Sequence, residues 1–234
     1  MNSACLTVMH LGRMNYQDAW QIQKDAVAAR QNDEIPDTLL LLEHPPTITF
    51  GKSAKREHLI ATETELSALG VQIVQSDRGG DVTLHLPGQL VGYPIVHLQQ
   101  APNSPDLHGY MRRLEESLIR TIAKLGITAD RFIGHTGVWL GMDTPTPVKV
   151  AAMGVRVSRY VTMHGFALNV CPDLSLFDLI VPCGIHEYGV TSLSAFTGDR
   201  YTVAELVPDV VHFFAEVSGY SHVNEHYETV SHPR

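Results

Sequence analysis

The sequence of 234 residues is short of cysteine. Cys5, Cys171 and Cys183 are odd in number and irregularly spaced, which argues against a disulfide framework and fits a reducing compartment. The first residues also lack a basic segment followed by an apolar one, so we expect no secretory signal and a cytoplasmic protein.

Long apolar runs are also missing. The longest aliphatic run, Leu39 to Leu42, is closed by Glu43, whereas a membrane helix needs about 18 apolar residues. The hydrophobic content of 44% and the charged content of 18% are ordinary for a globular protein. We therefore predict no membrane association and one domain over residues 1–234. A monomer is expected, because no long apolar stripe is left unassigned.

Positive charge is scarce, since the formal net charge is −8. Binding of nucleic acid needs a basic excess and is therefore not expected. Lys52, Lys55 and Arg56 nevertheless form a local basic cluster, which is either a solvated loop or a surface for an acidic partner.

Several well-known motifs fail in this sequence. Gly51-Lys52-Ser53 resembles the end of a phosphate-binding loop, but the position that needs the earlier glycine holds Pro46. No Gly-x-Ser-x-Gly nucleophile turn and no zinc motif occur. The spacing of Cys183 and His186 could suit a metal, but no second pair of ligands completes a tetrahedral site. We predict neither a metal nor a cofactor.

Amphipathic helices are expected at a few places. The clearest is Leu107 to Leu125, whose apolar residues recur every three or four positions, with Asp106 as cap and Gly126 as stop. Two further helices are predicted over Tyr16 to Arg30 and Val203 to Val217.

Short apolar runs between these helices predict strands. They are Thr38 to Glu43, two strands around the Pro87-Gly88 turn, Gly137 to Leu140, Val148 to Val157 and Thr162 to Val170. Strands in succession joined by short turns favour an α+β domain built on a single mixed or antiparallel sheet flanked by helices. The polar end from His222 to Arg234 is predicted to be loosely held.

Three segments differ from ordinary core. In Arg78 to Gln89 two glycines let a backbone approach a ligand, and the adjacent arginine suits an anion, although a plain glycine turn is the alternative. Lys149 is predicted to begin a strand of small residues. Either partial desolvation there lowers its affinity for a proton, or its ammonium lies in water at the end of the strand. Cys183, between Pro182 and Gly184, is either a buried structural cysteine or an exposed nucleophile.

These segments together carry a family resemblance. Arg78-Gly79-Gly80 through Thr83, His85, Pro87-Gly88-Gln89 and Tyr93-Pro94 resembles the signature of the lipoyl(octanoyl) transferases of lipoate biosynthesis. Further blocks match in order along nearly the whole chain; they are Lys149 to Gly154, Thr162, His164-Gly165, Ala167 to Asn169 and Pro182 to Ile185. Met153 and Phe166 are small departures.

The resemblance implies the α/β fold shared with lipoate and biotin protein ligases. It implies that octanoyl-acyl carrier protein is the donor, and that a lysine of a lipoyl domain of a 2-oxoacid dehydrogenase or of the glycine-cleavage H protein is the acceptor. It also implies an acyl-thioester on Cys183, whose pKa Lys149 lowers. The acyl-binding residues that it implies are Arg78, Gly79, Gly80, Asp81, Val82, Thr83, Leu84, His85, Ala152, Met153, Gly154, Gly165, Phe166 and Ala167.

Two other functions remain open at this point. A lipoate-protein ligase has the same fold class but forms an acyl-adenylate from nucleotide, and it needs no cysteine nucleophile. A module that binds an acyl chain or a carrier protein without catalysis would need neither Lys149 nor Cys183.

Overall fold

The computed structural model describes residues 4–100, 102–182 and 188–227. Its strands, in chain order, are Cys5–Arg13 (β1), Asp37–Glu43 (β2), Thr47–Phe50 (β3), Gln72–Gln75 (β4), Val82–His85 (β5), Gln89–Ile95 (β6), Ala129–Phe132 (β7), His135–Leu140 (β8), Val148–Ser158 (β9), Val161–Asn169 (β10) and His222–Tyr227 (β11). Its α-helices are Tyr16–Gln31 (α1), Glu63–Ala68 (α2), Leu107–Ala123 (α3), Leu193–Thr197 (α4) and Val203–Ser218 (α5).

A large mixed sheet has the strand order β11-β1-β2-β6-β10-β9-β8-β7. The strand β1 pairs in parallel with both β11 and β2, and all the other neighbours are antiparallel. The predicted α+β class with a mixed sheet flanked by helices is therefore confirmed.

The run Leu39 to Leu42 shows how the large sheet is covered. Successive residues of a strand point to opposite faces. Leu39 and Leu41 accordingly join the core cluster that contains residues of α3 and α5, while Leu40 and Leu42 join the one that contains residues of α1. Helices thus cover both faces of the central strand β2, which explains why the run is uninterrupted by polar residues.

A second sheet, with the order β4-β3-β5, corrects the prediction of a single sheet. The strand β3 is only four residues long and follows Pro45-Pro46, and β4 has only one buried residue, so neither gives a clear alternating pattern. This small sheet has its own apolar cluster, which includes Ile48, Leu84 and Phe177.

The prediction of a loosely held C-terminal end is wrong for its first part. Residues His222–Tyr227 form β11, which pairs in register with β1 from Cys5↔His222 to His10↔Tyr227. All six residues of β11 are exposed, so no apolar periodicity marks this strand in the sequence. Residues 228–234 lie outside the described part of the chain.

Among the described residues, none of the helices combines the length and the hydrophobicity that a membrane span requires.

Gly165 of β10 lies against the backbone of β6, and we expect Gly165→Ala to destabilise the fold by about 3 kcal/mol. An added Cβ would lie 2.2 Å from the carbonyl oxygen of Gly92 and 2.7 Å from Cδ of Pro94, so backbone would have to move. Gly126→Ala is the matched control, because its φ of +77° is unfavourable but no atom lies within 4 Å. That control should cost about 1 kcal/mol. Urea unfolding of both variants tests this, and equal midpoints would contradict it.

Candidate active site

A narrow cavity of about 50 Å³ lies where β5 of the small sheet faces β9 and β10 of the large one. We call it the central cavity. Its walls are mostly apolar, with contributions from Met153 and Phe166, and they also carry hydroxyl and imidazole groups. The residues that line it are Tyr16, Arg78, Gly80, Asp81, Thr83, His85, Tyr93, Ala152, Met153, Gly154, His164, Gly165, Phe166 and Ala167.

The glycine turn at Gly79-Gly80 is held against β9 beside the central cavity. Gly79 donates its backbone N–H to the carbonyl of Val155 at 3.0 Å. A Cβ on Gly154 would lie only 2.6 Å from the carbonyl oxygen of Gly79, so β9 must carry a glycine there for the turn to approach it. Two segments far apart in sequence therefore meet through glycines.

Arg78 does not face solvent. Its side chain is buried, and Nε donates to Oγ1 of Thr49 at 3.0 Å while a terminal nitrogen donates to the Thr49 carbonyl at 2.6 Å. Another nitrogen donates to the carbonyl of Gly79 at 3.0 Å. These bonds anchor the glycine turn to β3, and the guanidinium forms part of the cavity wall.

Lys149 is only 8% exposed, on β9. Its Nζ lies 4.8 Å from the centre of the Trp139 ring, a distance at which an ammonium is attracted to the aromatic face. Its backbone N–H donates to the Gly189 carbonyl at 2.9 Å, and its carbonyl accepts from Thr191 at 2.9 Å. The side chain is therefore held inside the protein rather than in water.

A smaller cavity, which we call the lysine cavity, adjoins Lys149. It shares the lining residues Thr83, Ala152 and Ala167 with the central cavity, so the two cavities lie next to each other. Its lining residues are Thr83, Gln89, Lys149, Ala152, Ala167, Asn169, Phe177, Pro182 and Val190. The residue immediately before Cys183 thus contributes to the same cavity as Lys149.

Tyrosine and histidine side chains form a polar cluster at the central cavity. His44 donates from Nδ1 to the Met14 carbonyl at 2.7 Å, which leaves its Nε2 to accept from the Tyr93 hydroxyl at 2.7 Å. The Tyr16 hydroxyl bonds with Ser76 at 2.9 Å.

His164 completes this cluster. Its backbone has a φ of +57°, which is strained for a residue other than glycine, and its Nε2 is 2.7 Å from Oδ1 of Asp77.

These groups are uncharged at neutral pH. Burial lowers the pKa of His44 to about 4 and that of His85 well below its usual value. Burial, with the nearby guanidinium groups of Arg78 and Arg156, lowers the pKa of His164 to about 3. Burial also raises the pKa of Tyr16. The polar cluster therefore offers hydrogen bonds to a neutral ligand but no charge of its own.

The neutral state of His44 predicts that stability falls on acidification between pH 6.5 and about 4. The unfolded chain binds a proton near the ordinary histidine pKa of 6.5, whereas the native state resists it until about pH 4. Stability should therefore decrease as the pH falls through this window, by up to about 1.4 kcal/mol per pH unit for this group. Urea midpoints at several pH values measure it.

His44→Gln is the informative variant for that prediction, because the amide can keep one bond to Met14 or Tyr93 but does not titrate. In this variant, the number of protons taken up on unfolding, which sets the slope of stability against pH, should be smaller by about one. His212→Gln, on the exposed surface of α5, is the matched control and should leave the slope as it is. A His44→Gln slope equal to that of the unaltered protein would contradict the assignment.

Most of the predicted acyl-binding residues lie together. Gly79, Val82 and Leu84 do not line the central cavity; Gly79 lies at an outer groove, and Val82 and Leu84 are fully buried in the core of the small sheet. Cys183 lies outside the described residues, so its predicted contact with Lys149 remains a prediction. Tyr16, Tyr93 and His164 line the cavity but were not predicted as site residues. Tyr93 and His164 were already part of the matching blocks.

The fold is that of the lipoate-protein and biotin-protein ligases. The crystal structure of lipoate-protein ligase A bound with ATP is similar with a TM-score of 0.71 at 12% identity, over 97% of this chain and 90% of that one. The biotin protein ligase from Aquifex aeolicus in complex with biotin and ATP is similar with a TM-score of 0.54 at 13% identity, over 91% of this chain and 70% of that one.

Within that class, the chain belongs to the lipoyl protein ligase A/B catalytic domain family, whose model matches residues 15–215. A relative from Chloroflexus aggregans named octanoyltransferase is 52% identical over 88% of this chain and 91% of its own length. Another, from Rubrobacter xylanophilus, is 47% identical over 92% of this chain and 95% of its own length. The family resemblance predicted from the sequence blocks is confirmed.

Proposed function

We propose that this protein is an octanoyltransferase that moves an octanoyl group from acyl carrier protein to a lysine of lipoyl domains and of the glycine-cleavage H protein. The names of relatives at about 50% identity over most of the chain support this. We further propose that it works in the cytoplasm as a monomer, without metal or cofactor, through a thioester on Cys183.

The observation that carries the proposal is the burial of Lys149 at a cavity that Pro182 also lines. Cys183 follows Pro182 in the chain, and a few residues later Gly189 is hydrogen-bonded to the backbone of Lys149. Pro182 and Gly189, which precede and follow Cys183 in the chain, are therefore both near Lys149, which supports a cysteine and a lysine acting together.

The chemistry requires two acyl transfers. The Cys183 thiolate attacks the donor thioester carbonyl, a C–S bond forms, and the carrier thiolate leaves and takes up a proton. The acceptor lysine amine then attacks the acyl-enzyme, an amide forms, and the Cys183 thiolate is released. The amine must lose a proton in this step, and Lys149 is the proposed base. No nucleotide is consumed, because the thioester is already activated.

The central cavity is proposed to hold the hydrocarbon chain. It lies next to the lysine cavity, with which it shares Thr83, Ala152 and Ala167, so an acyl chain whose carbonyl is near Lys149 would extend past these residues to Met153 and Phe166. Burial of six methylenes at about 0.8 kcal/mol each contributes on the order of 5 kcal/mol, enough for coarse selection of chain length.

The decisive experiment is to mix the protein with octanoyl-carrier thioester in the absence of nucleotide and weigh it by mass spectrometry. We expect a stable increase equal to one octanoyl group, which disappears when a lipoyl domain is added. An absolute requirement for nucleotide, with no adduct, would instead indicate a lipoate-protein ligase. Binding of the donor with neither adduct nor transfer would indicate a binding module.

The basic cluster of Lys52, Lys55 and Arg56 is exposed, as an electrostatic docking surface requires. Carrier proteins are generally acidic, and so is this chain, so a local positive surface would aid their encounter. Reversal of these three charges should raise KM about fivefold or more for a carrier-bound donor and leave KM for a small thioester donor nearly unchanged. Steady-state kinetics with both donors at low salt test this, and equal changes would contradict it.

A further inference from the structure

An open groove of about 590 Å³ runs along α3 and ends at Lys149. We call it the α3 groove. One wall is the exposed side of the first turns of α3, and the floor includes Met153 and Val155 of β9. Ser53 and the glycine turn at Gly79-Gly80 form the opposite side. The groove adjoins the central cavity, with which it shares the lining residues Gly80, Asp81, Met153 and Gly154.

The direction of the α3 groove follows from the helix. Glu115 accepts a hydrogen bond from the Gly137 N–H at 3.1 Å, and a Cβ on Gly137 would be 3.6 Å from Cδ of Lys149. Glu115 therefore marks the end near Lys149. Leu107 lies eight residues earlier, which at 1.5 Å per residue is about 12 Å along the helix. The groove is thus a path from the surface to Lys149.

The walls of the α3 groove have a mixed character. Leu107 and Met111 offer apolar surface, while Arg112 offers a guanidinium whose side chain is 59% exposed. Arg112 donates to Glu115 at 2.7 Å, and Arg131 donates to the same carboxylate at 3.1 Å. Glu115 thus has a second cationic partner, and the Arg112 side chain, which lines the groove, stays largely exposed.

We propose that the α3 groove binds the phosphopantetheine-type arm of the donor, with Arg112 contacting its phosphate. This inference rests on the proposed function, in which the acyl group arrives on such an arm. The arm is long and thin, alternates amide and methylene groups, and ends in a phosphodiester next to an acidic protein. An elongated groove of mixed polarity that leads to Lys149 and passes a guanidinium matches each of these features.

The position of the basic cluster supports this occupant. Lys52 and Lys55 belong to the same segment as Ser53, which lines the groove opposite α3. A carrier protein whose arm lies in the α3 groove would therefore bring its acidic surface against exposed cations.

The test compares octanoyl-pantetheine with octanoyl-phosphopantetheine, two donors that differ only in the phosphate. In the unaltered protein the phosphorylated donor should have a kcat/KM about fivefold higher or more, as for a partly exposed charge-assisted contact. Arg112→Gln should remove this preference while keeping a donor for Glu115. Arg112→Lys should keep part of it, because the charge remains.

Arg120→Gln is the matched control, since Arg120 lies on the same helix but bonds to Glu116 and to Glu216 of α5. It should retain the full preference for the phosphorylated donor. Equal changes for both donors in Arg112→Gln, no preference in the unaltered protein, or an effect on the KM of the acceptor alone would overturn the inference. Failure of either donor to acylate any variant would instead refute the proposed function.

Discussion

Replacement of Cys183 by alanine is expected to abolish the octanoyl adduct and to reduce transfer on the order of 10⁴-fold or more. Without the thiol, the acceptor amine would have to attack the carrier thioester directly, and both proteins would have to occupy the site together. A covalent intermediate lets the carrier leave before the acceptor arrives. Loss of the nucleophile should therefore remove both half-reactions, not slow one of them.

Intact-protein mass spectrometry and transfer to a lipoyl domain measure this loss. Cys171→Ala is the matched control, because burial and the Glu43 carboxylate raise the pKa of the Cys171 thiol and make it a poor nucleophile at neutral pH. That control should keep both the adduct and the rate. An adduct that persists in Cys183→Ala and vanishes in Cys171→Ala would reassign the nucleophile.

The strands β2, β6, β8, β9 and β10 of the large sheet and the helices α1, α3 and α5 were predictable from the sequence because each has a local signal. The strands β1 and β7 of the same sheet were not predicted. The prediction of Leu107 to Leu125 matches α3, which ends at Ala123, since its apolar face meets α5 and the sheet. The strands β3 and β4 have no such signal, because they are short and β4 is largely exposed. The strand β11 is held by backbone pairing to β1, which no pattern of side chains records.

The candidate site was likewise predictable from the sequence only in part. Glycines in the matching blocks mark where backbones approach, and the structure explains two of them through the contact of Gly154 with the Gly79 turn. Tyr16 lies at the start of a helix that is predicted from its content of alanine and glutamine, so nothing in its local sequence points to a cavity. Its ring reaches the central cavity because α1 packs beside β10 and β6, a consequence of tertiary structure alone.

Lys149→Met is expected to slow acylation by about 10²- to 10⁴-fold at neutral pH. Methionine has a similar length and suits the buried position, so the fold should survive, whereas the ammonium beside Trp139 is lost. An ordinary thiol with a pKa of about 8.5 is only slightly ionised at pH 7, and an adjacent ammonium favours the thiolate. The deficit should therefore be larger at pH 7 than at pH 9, where the thiol ionises without help.

Single-turnover acylation from pH 6.5 to 9.5 measures this dependence, with urea unfolding to verify stability. Lys124→Met is the matched control, since Lys124 is exposed and bonds to Asp209 on the surface. It should leave both the rate and the profile unchanged. Because deacylation also needs a base, Lys149→Met should accumulate whatever acyl-enzyme it forms when a lipoyl domain is present. A rate within threefold of the unaltered protein and an identical pH profile would remove Lys149 from the mechanism.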